Sequence, residues 1–208
     1  MDENIRRRNE LLAQTVIKGL QSRNMSGYYA GSKEEALKKA LNLIPENSTI
    51  AMGGCMSAHE IGLIAALQKG NYKYLDRTKM DAREGLLAAY DADIFLSSAN
   101  ALTNDGILVN IDGNANRVSC IAQGPKKVVF IVGMNKVCDD LDSAMKRARS
   151  VAAPCNAQRF DIQTPCREIG KCFDCKSPDT ICCQFLITRY SRHTERIHVI
   201  LVNDSLGF

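Results

Sequence analysis

The hydrophobic positions of the chain switch repeatedly between helical spacing and short continuous apolar runs. Residues 3–23 place apolar side chains among charged ones at helical intervals, which predicts one amphipathic helix. Residues 24–31 are interpreted as a turn region, and Ser32 with Glu35 gives the S-x-x-E pattern that opens a second helix. Residues 1–45 are therefore predicted to form a helical N-terminal segment.

Short apolar runs farther along the chain predict buried strands. They occupy residues 48–52, 72–75, 94–99, 107–111 and 128–132. Helical patterns lie between several of them, over residues 57–68, where Ser57 and Glu60 repeat the S-x-x-E pattern, and over residues 78–90. This alternation implies right-handed βαβ units. The predicted fold class is therefore α/β, with a mostly parallel sheet flanked by helices.

The C-terminal third of the chain predicts one more helix and two more strands. The helix covers residues 139–153 and is expected to end at Pro154. Residues 185–190 and 197–202 predict strands joined by a polar turn, and we expect them to form an antiparallel pair at an edge of the sheet. No repeat or long linker interrupts the pattern, which predicts a single domain over residues 1–208.

The composition is that of an ordinary globular protein of 208 residues, with 45% hydrophobic residues and a net charge of +4. The basic runs at residues 6–8 and 146–149 fall in helical patterns without interleaved aromatic residues, which argues against nucleic-acid binding. No run of about 18 apolar residues is present, and the N-terminus lacks the apolar region of a signal peptide. These features predict a cytoplasmic protein with no membrane association.

The chain contains nine cysteines. The reducing cytosol disfavours a disulfide framework, so these thiols are candidates for metal binding or redox chemistry. The turn-rich residues 164–183 carry four of them with the spacing C-x5-C-x2-C-x6-C, namely Cys166, Cys172, Cys175 and Cys182. Thiolates are the ligands that zinc and iron–sulfur clusters prefer. A four-thiolate metal or cluster site is the favoured interpretation, with structural disulfides and a loop of reduced thiols as alternatives. Residues 164–183 are thus predicted to be a cysteine-rich loop inserted before the last strands.

A second candidate site is indicated where predicted strands end in glycine or polar residues. In parallel sheets, ligands bind beyond the carboxyl ends of the strands, and free N–H groups at a helix start attract phosphate or carboxylate. The candidate residues for a small anion are Gly53, Gly54, Ser57, Asn100, Asp105, Asn116 and Arg117. Ordinary turns explain the same residues, and the lack of a complete phosphate-binding glycine motif favours that alternative for the two glycines.

Several segments, each weak alone and specific together, resemble one protein family. They are residues 53–62, 100–106, 109–117, 124–136, 152–154, 164–182 and 198–208. Through them the chain resembles the lactate-utilization (LUD) domain family over nearly its whole length. The resemblance implies a fold similar to that of CoA transferases, ribose-5-phosphate isomerase and glucosamine-6-phosphate deaminase. Some family members belong to an iron–sulfur system that oxidises L-lactate to pyruvate.

The resemblance implies a redox or electron-transfer component of organic-acid catabolism that binds a small anionic metabolite. It places the ligands of an iron–sulfur cluster at Cys166, Cys172, Cys175 and Cys182, with zinc or no metal as alternatives. Two other functions stay open: a sugar-phosphate or acyl-CoA enzyme on the same fold, and a non-catalytic subunit that docks on an iron–sulfur or flavin protein. A homo-oligomer is also open, and the resemblance transfers no catalytic residue.

Overall fold

The structure, a computed structural model, describes all of residues 1–208 and contains ten strands and nine α-helices. The strands are β1 (Ser26–Ala30), β2 (Thr49–Met52), β3 (Lys73–Tyr74), β4 (Ile94–Ser97), β5 (Ala101–Thr103), β6 (Leu108–Asp112), β7 (Lys127–Gly133), β8 (Val137–Cys138), β9 (Gln184–Thr188) and β10 (Ile197–Val202). The helices are α1 (Glu3–Ser22), α2 (Lys33–Leu43), α3 (Met56–Glu60), α4 (Leu63–Lys69), α5 (Ala82–Tyr90), α6 (Asn116–Ala122), α7 (Leu141–Arg147), α8 (Ala153–Ala157) and α9 (Pro165–Ile169).

A six-stranded sheet in the order β1-β10-β7-β4-β2-β3 organises the fold, and every neighbouring pair in it is parallel. All residues of β4 and β10 are buried, as are all but the first residue of β7. Strands covered on both faces need apolar side chains at successive positions, which is why these segments read as continuous apolar runs. The predicted α/β class with a mostly parallel, helix-flanked sheet is confirmed.

Successive residues of the central strands serve two separate hydrophobic clusters, because their side chains alternate between the faces of the sheet. Phe95 and Phe130 belong to the cluster that includes Val16 of α1, Ile121 of α6 and the neighbouring strands β5 and β6. The adjacent residues Leu96 and Ile131 belong to the other cluster, with side chains of α2 and α4. The sheet is therefore a middle layer between two packed faces.

A second, four-stranded sheet in the order β8-β5-β6-β9 lies beyond the carboxyl end of β4. β5 and β6 form an antiparallel hairpin, and β9 adds to β6 antiparallel as an edge strand. The chain thus has an antiparallel edge late in the sequence. The expected pairing of residues 185–190 with 197–202 is nevertheless wrong, because β10 enters the interior of the parallel sheet between β1 and β7.

The N-terminal segment was only partly predicted. The helix expected over residues 3–23 is confirmed as α1, and the Ser32 hydroxyl accepts a hydrogen bond from Glu35 N at the start of α2. The expected turn over residues 24–31 is wrong, since it contains β1, which pairs in parallel with β10. The strand depends on a partner about 170 residues away in sequence, so local pattern carries little signal for it.

Two expected helix boundaries are also wrong. The helix predicted over 57–68 is divided by Gly62, whose φ of 76° is left-handed, and its first part begins after Cys55 without a side-chain cap. Pro154 does not end the helix predicted over 139–153. A π-helical turn at Ala148–Ala152 precedes it, and Pro154 then lies in the first turn of α8, where its missing N–H is tolerated.

No helix in the chain combines the length and the apolar character needed to cross a lipid bilayer.

Candidate functional site

A cavity of about 1030 Å³ lies at the carboxyl end of the six-stranded sheet. Its walls include the segments that follow three parallel strands, represented by Gly53 after β2, Ser98 after β4 and Lys136 after β7. Residues of the cysteine-rich segment, Pro178 to Ile181, form another part of the wall. The cavity therefore occupies the position where ligands bind in open parallel sheets.

Six of the seven residues predicted for the anion site line this cavity, namely Gly53, Gly54, Ser57, Asn100, Asn116 and Arg117. Asp105 does not line it. Asp105 lies in the turn between β5 and β6, where its carboxylate accepts hydrogen bonds from Arg23 and from Thr103. These contacts place Asp105 in the packing of α1 against the hairpin.

Glycine is favoured at positions 53 and 54 of the predicted turn for two different structural reasons. A Cβ atom at position 53 would lie 2.7 Å from Arg117 Cγ and 2.9 Å from Phe95 Cζ, so a side chain is excluded there by packing. At Gly54 a Cβ atom would meet nothing within 4 Å, but the φ of 70° favours glycine. The turn thus brings the backbone close to Arg117.

Arg117 is held mainly by protein groups. Its guanidinium donates to Ser98 O at 3.3 Å, to Asn100 Oδ1 at 2.9 Å and to Ile111 O. Its Nε lies 3.9 Å from the Asp112 carboxylate, which also accepts hydrogen bonds from two backbone N–H groups at the start of α6. Burial lowers the pKa of Arg117, while the charge of Asp112 opposes that shift. Arg117 fixes the cavity wall and contributes positive charge to it.

Lys136 also lines the cavity, although it is not among the residues predicted from sequence. Its side chain is only 3% exposed, and Nζ donates to Ser98 Oγ at 2.9 Å and approaches Ser57 Oγ at 3.5 Å. Burial lowers the pKa of the Lys136 ammonium to about 8; Cys55 and Glu60 oppose this shift, while the charges of Arg147 and Arg117 add to it. Its place three residues after the end of the buried strand β7 was the available signal.

The cavity wall contains four basic residues, Arg77, Arg117, Lys136 and Arg159, and three acidic ones, Asp76, Asp112 and Asp179. Arg117 lies 3.9 Å from the Asp112 carboxylate, whereas no acidic group lies within 4.0 Å of Lys136. Arg147 does not line the cavity, but its charge acts on Lys136, and its guanidinium donates to the backbone carbonyls of Asn100 and Asn135. Because the Lys136 ammonium has no carboxylate within 4.0 Å, a carboxylate or phosphate bound in the cavity would supply its counter-charge.

The four cysteines predicted as metal ligands lie near one another. Cys166 is buried at the start of α9, while Cys172, Cys175 and Cys182 are half-buried. Burial raises the pKa of Cys182 to about 11, and the neighbouring sulfurs act in the same direction. No group of three or more His, Cys, Asp or Glu side chains has the arrangement of a metal site. Thiols are nevertheless the donor type that soft metal ions and iron–sulfur clusters take.

Hydrogen bonds from backbone N–H groups hold the cysteine-rich segment beside the cavity. Cys183 N donates to Asp112 O at 2.9 Å, and Gln163 N donates to Asp179 Oδ2 at 2.8 Å. A Cβ atom at Gly113 would lie 3.2 Å from Ile181 Cα, so the segment packs directly against the turn after β6. Residues that contact the cavity are thus continuous in sequence with the thiols.

The comparisons with known proteins agree with this architecture. A family model described as LUD domain matches residues 13–202. A crystal structure of a DUF162 family protein from Deinococcus radiodurans is similar, with a TM-score of 0.53 at 15% identity over 93% of this chain and 98% of that chain. At that identity the similarity shows the fold.

A crystal structure of eIF2B delta from Chaetomium thermophilum matches 67% of this chain and 57% of its own at 14% identity. Its TM-score of 0.33 is too low for a structural argument. No curated protein matches the chain.

Proposed function

The chain belongs to the LUD domain family, and from this premise we propose that it binds a small anionic metabolite of organic-acid catabolism in the cavity beyond the parallel sheet. The proposed role is that of a redox or electron-transfer component in the conversion of L-lactate to pyruvate. Lys136 carries the proposal, because a buried ammonium whose only polar partners are two serine hydroxyls lacks the counter-charge that an anionic ligand supplies.

The cysteine-rich segment supports the redox part of the proposal. Cys166, Cys172, Cys175 and Cys182 are the residues that would hold an iron–sulfur cluster, and the same segment walls the cavity. A bound cluster would supply one-electron transfer beside the metabolite. Zinc in the same thiols would make the segment structural instead.

A sugar-phosphate or acyl-CoA enzyme is the second candidate, and the size of the cavity favours it. About 1030 Å³ is at the upper end of the volumes of small-molecule pockets, far more than a three-carbon acid fills. A phosphate ester would use the same basic residues of the cavity.

A partner protein is the third proposal, and it concerns the outer side of the cysteine-rich segment. Ile169 and Phe173, which flank Cys172 in sequence, are 61% and 53% exposed. Apolar side chains exposed beside the thiols suit docking of an iron–sulfur or flavin protein.

The anion site is tested by calorimetric titration with L-lactate, pyruvate, ribose 5-phosphate and CoA. We expect Lys136→Met to weaken binding of the preferred ligand about tenfold or more, because the replacement removes the cation at similar volume. Lys126→Met is the matched control, since Lys126 precedes β7, at the opposite end of that strand from the cavity, and pairs with Asp93. Equal binding by the two variants would contradict the anion site.

The cluster is tested on protein purified without oxygen, by iron, zinc and acid-labile sulfide content. We expect iron with matching sulfide in the wild type and its loss in a Cys172→Ser/Cys175→Ser variant. Zinc alone would remove the redox role, and no metal in either sample would leave the cavity as the functional centre.

A further inference from the structure

We propose that the Lys136 amine is a nucleophile that forms a covalent imine with the carbonyl carbon of a small 2-oxo acid in the cavity. The inference rests on the proposed anion site and specifies its substrate class. The basic residues of the cavity, Arg117 among them, would receive the acid group, and the Lys136 amine would react with the carbonyl group next to it.

The surroundings of Lys136 differ from those of a structural lysine. A buried lysine that serves stability is normally paired with a carboxylate. Here Nζ has two hydroxyl neighbours, Ser98 Oγ at 2.9 Å and Ser57 Oγ at 3.5 Å, and no acidic group within 4.0 Å. No carboxylate therefore pairs directly with the protonated form of this amine.

The neighbouring charges make the neutral amine accessible. Arg117 and Arg147 lie close enough to oppose a third positive charge, and an adjacent cation is one of the ways in which proteins activate lysine as a nucleophile. Burial acts in the same direction, and the pKa of about 8 leaves roughly a tenth of the amine neutral at pH 7. That fraction is large compared with an exposed lysine.

The C-terminal residues complete the wall around the amine. A Cβ atom at position 207 would lie 3.2 Å from Lys136 Nζ and 3.1 Å from Ser57 Oγ, so glycine lets the backbone pass directly over this group. The φ of 53° at Gly207 is also one that favours glycine. Lys136 is thereby enclosed on one side while the cavity lies on the other.

The chemistry balances without an oxidant or reductant. The nitrogen lone pair attacks the carbonyl carbon and the C=O bond pair moves to oxygen, which gives a carbinolamine after a proton transfer from nitrogen to oxygen. Ser98 Oγ, hydrogen-bonded to Nζ, is placed to relay that proton. Loss of the oxygen as water, with a proton delivered to it, leaves the C=N bond.

The test is reductive trapping of the full-length protein with pyruvate and sodium borohydride, followed by intact and peptide mass spectrometry. We expect an added mass equal to pyruvate less one oxygen atom, located on Lys136. L-lactate is the matched ligand control, because it has the same size and charge but no carbonyl group to form an imine. The trapped fraction of wild type should exceed that of Lys136→Arg at least tenfold, and Lys126→Arg should behave as wild type.

Lys136→Arg retains the positive charge, so calorimetry on that variant separates the two proposals. Pyruvate binding without any trapped adduct in the wild type would overturn the imine and leave the anion site intact. No binding of pyruvate or L-lactate to the wild type would overturn the lactate-type site together with the imine. An adduct found only on surface lysines would also overturn the imine. Mapping the adduct needs only the wild-type protein, so this test holds even if a variant fails to fold.

Discussion

At the scale of single residues, two glycines set the distance between α1 and the β5–β6 hairpin. A Cβ atom at Gly19 would lie 2.6 Å from Asp105 O, and one at Gly106 would lie 2.6 Å from Gly19 C. The helix and the turn therefore touch backbone to backbone. Arg23 follows Gly19 by one helical turn and donates to Asp105 O at 2.6 Å, which stabilises the same contact between α1 and the hairpin.

Gly19→Ala is expected to destabilise the protein by about 2 kcal/mol in urea denaturation, because overpacking outweighs the helix propensity gained. Gly85→Ala in α5 is the matched control, since its nearest neighbour would be Met80 Cβ at an ordinary 3.6 Å. The control should be neutral or more stable by about 0.5–1 kcal/mol. A Gly19→Ala variant as stable as the control would show that the hairpin can move away.

The residues of the candidate site were partly predictable for physical reasons. Gly53 and Arg117 could be predicted because glycine and arginine at a chain reversal indicate a possible anion site from the local sequence alone. Asp105 looks the same in sequence, yet it pairs with Arg23, a contact 82 residues away. Lys136 was missed because a single lysine after a strand resembles any surface lysine, and only the tertiary fold buries it.

At the scale of elements, the cysteine-rich segment contains little regular structure. One short helix, α9, covers Pro165–Ile169, and no helix or strand follows until β9. Such a segment has few backbone hydrogen bonds of its own, so a bound metal would contribute much of its local stability.

We expect chelation of the metal-loaded protein to speed tryptic cleavage in residues 164–183 about tenfold or more, ahead of any other region. Lys171 and Lys176 are exposed cleavage sites there. In the Cys172→Ser/Cys175→Ser variant the chelator should change nothing. Cleavage of the wild-type segment that is indifferent to chelation would contradict a metal in these thiols.

Helices and strands could be predicted where the local sequence pattern alone determines them. The amphipathic pattern of α1 and the apolar run of β7 are of this kind. β1 and the partners of β9 and β10 were missed, since each is decided by pairing with a distant strand. Pro154 does not end the helix as predicted, because it follows the π-helical turn and lies in the first turn of α8.

At the scale of the whole molecule, the buried charge of Lys136 is a cost to folding. Its pKa is about 8 in the folded protein against an ordinary value of 10.5. The unfolded chain therefore binds more protons between those pH values, so this group makes stability rise as pH increases from about 8 towards 10.5. Below about 8 the full cost is present.

Lys136→Met is accordingly expected to raise the free energy of unfolding by up to about 3 kcal/mol at pH 7. The advantage should shrink as pH rises from about 8 towards 10.5, as followed by urea denaturation at several pH values. Lys126→Met should give no such gain, since hydrogen bonding to Asp93 raises the pKa of Lys126. A Lys136→Met variant less stable than wild type at pH 7 would mean that the amine stabilises the fold.

The position of β10 also determines when this protein can fold during synthesis. β1 joins the large sheet only through β10, and β10 lies between β1 and β7. On a translating ribosome the N-terminal strand consequently has no place in the sheet until residues 197–202 have left the exit tunnel. The nascent chain therefore carries an unpaired β1 throughout the synthesis of the residues between β1 and β10, and an unpaired strand is prone to association with other chains.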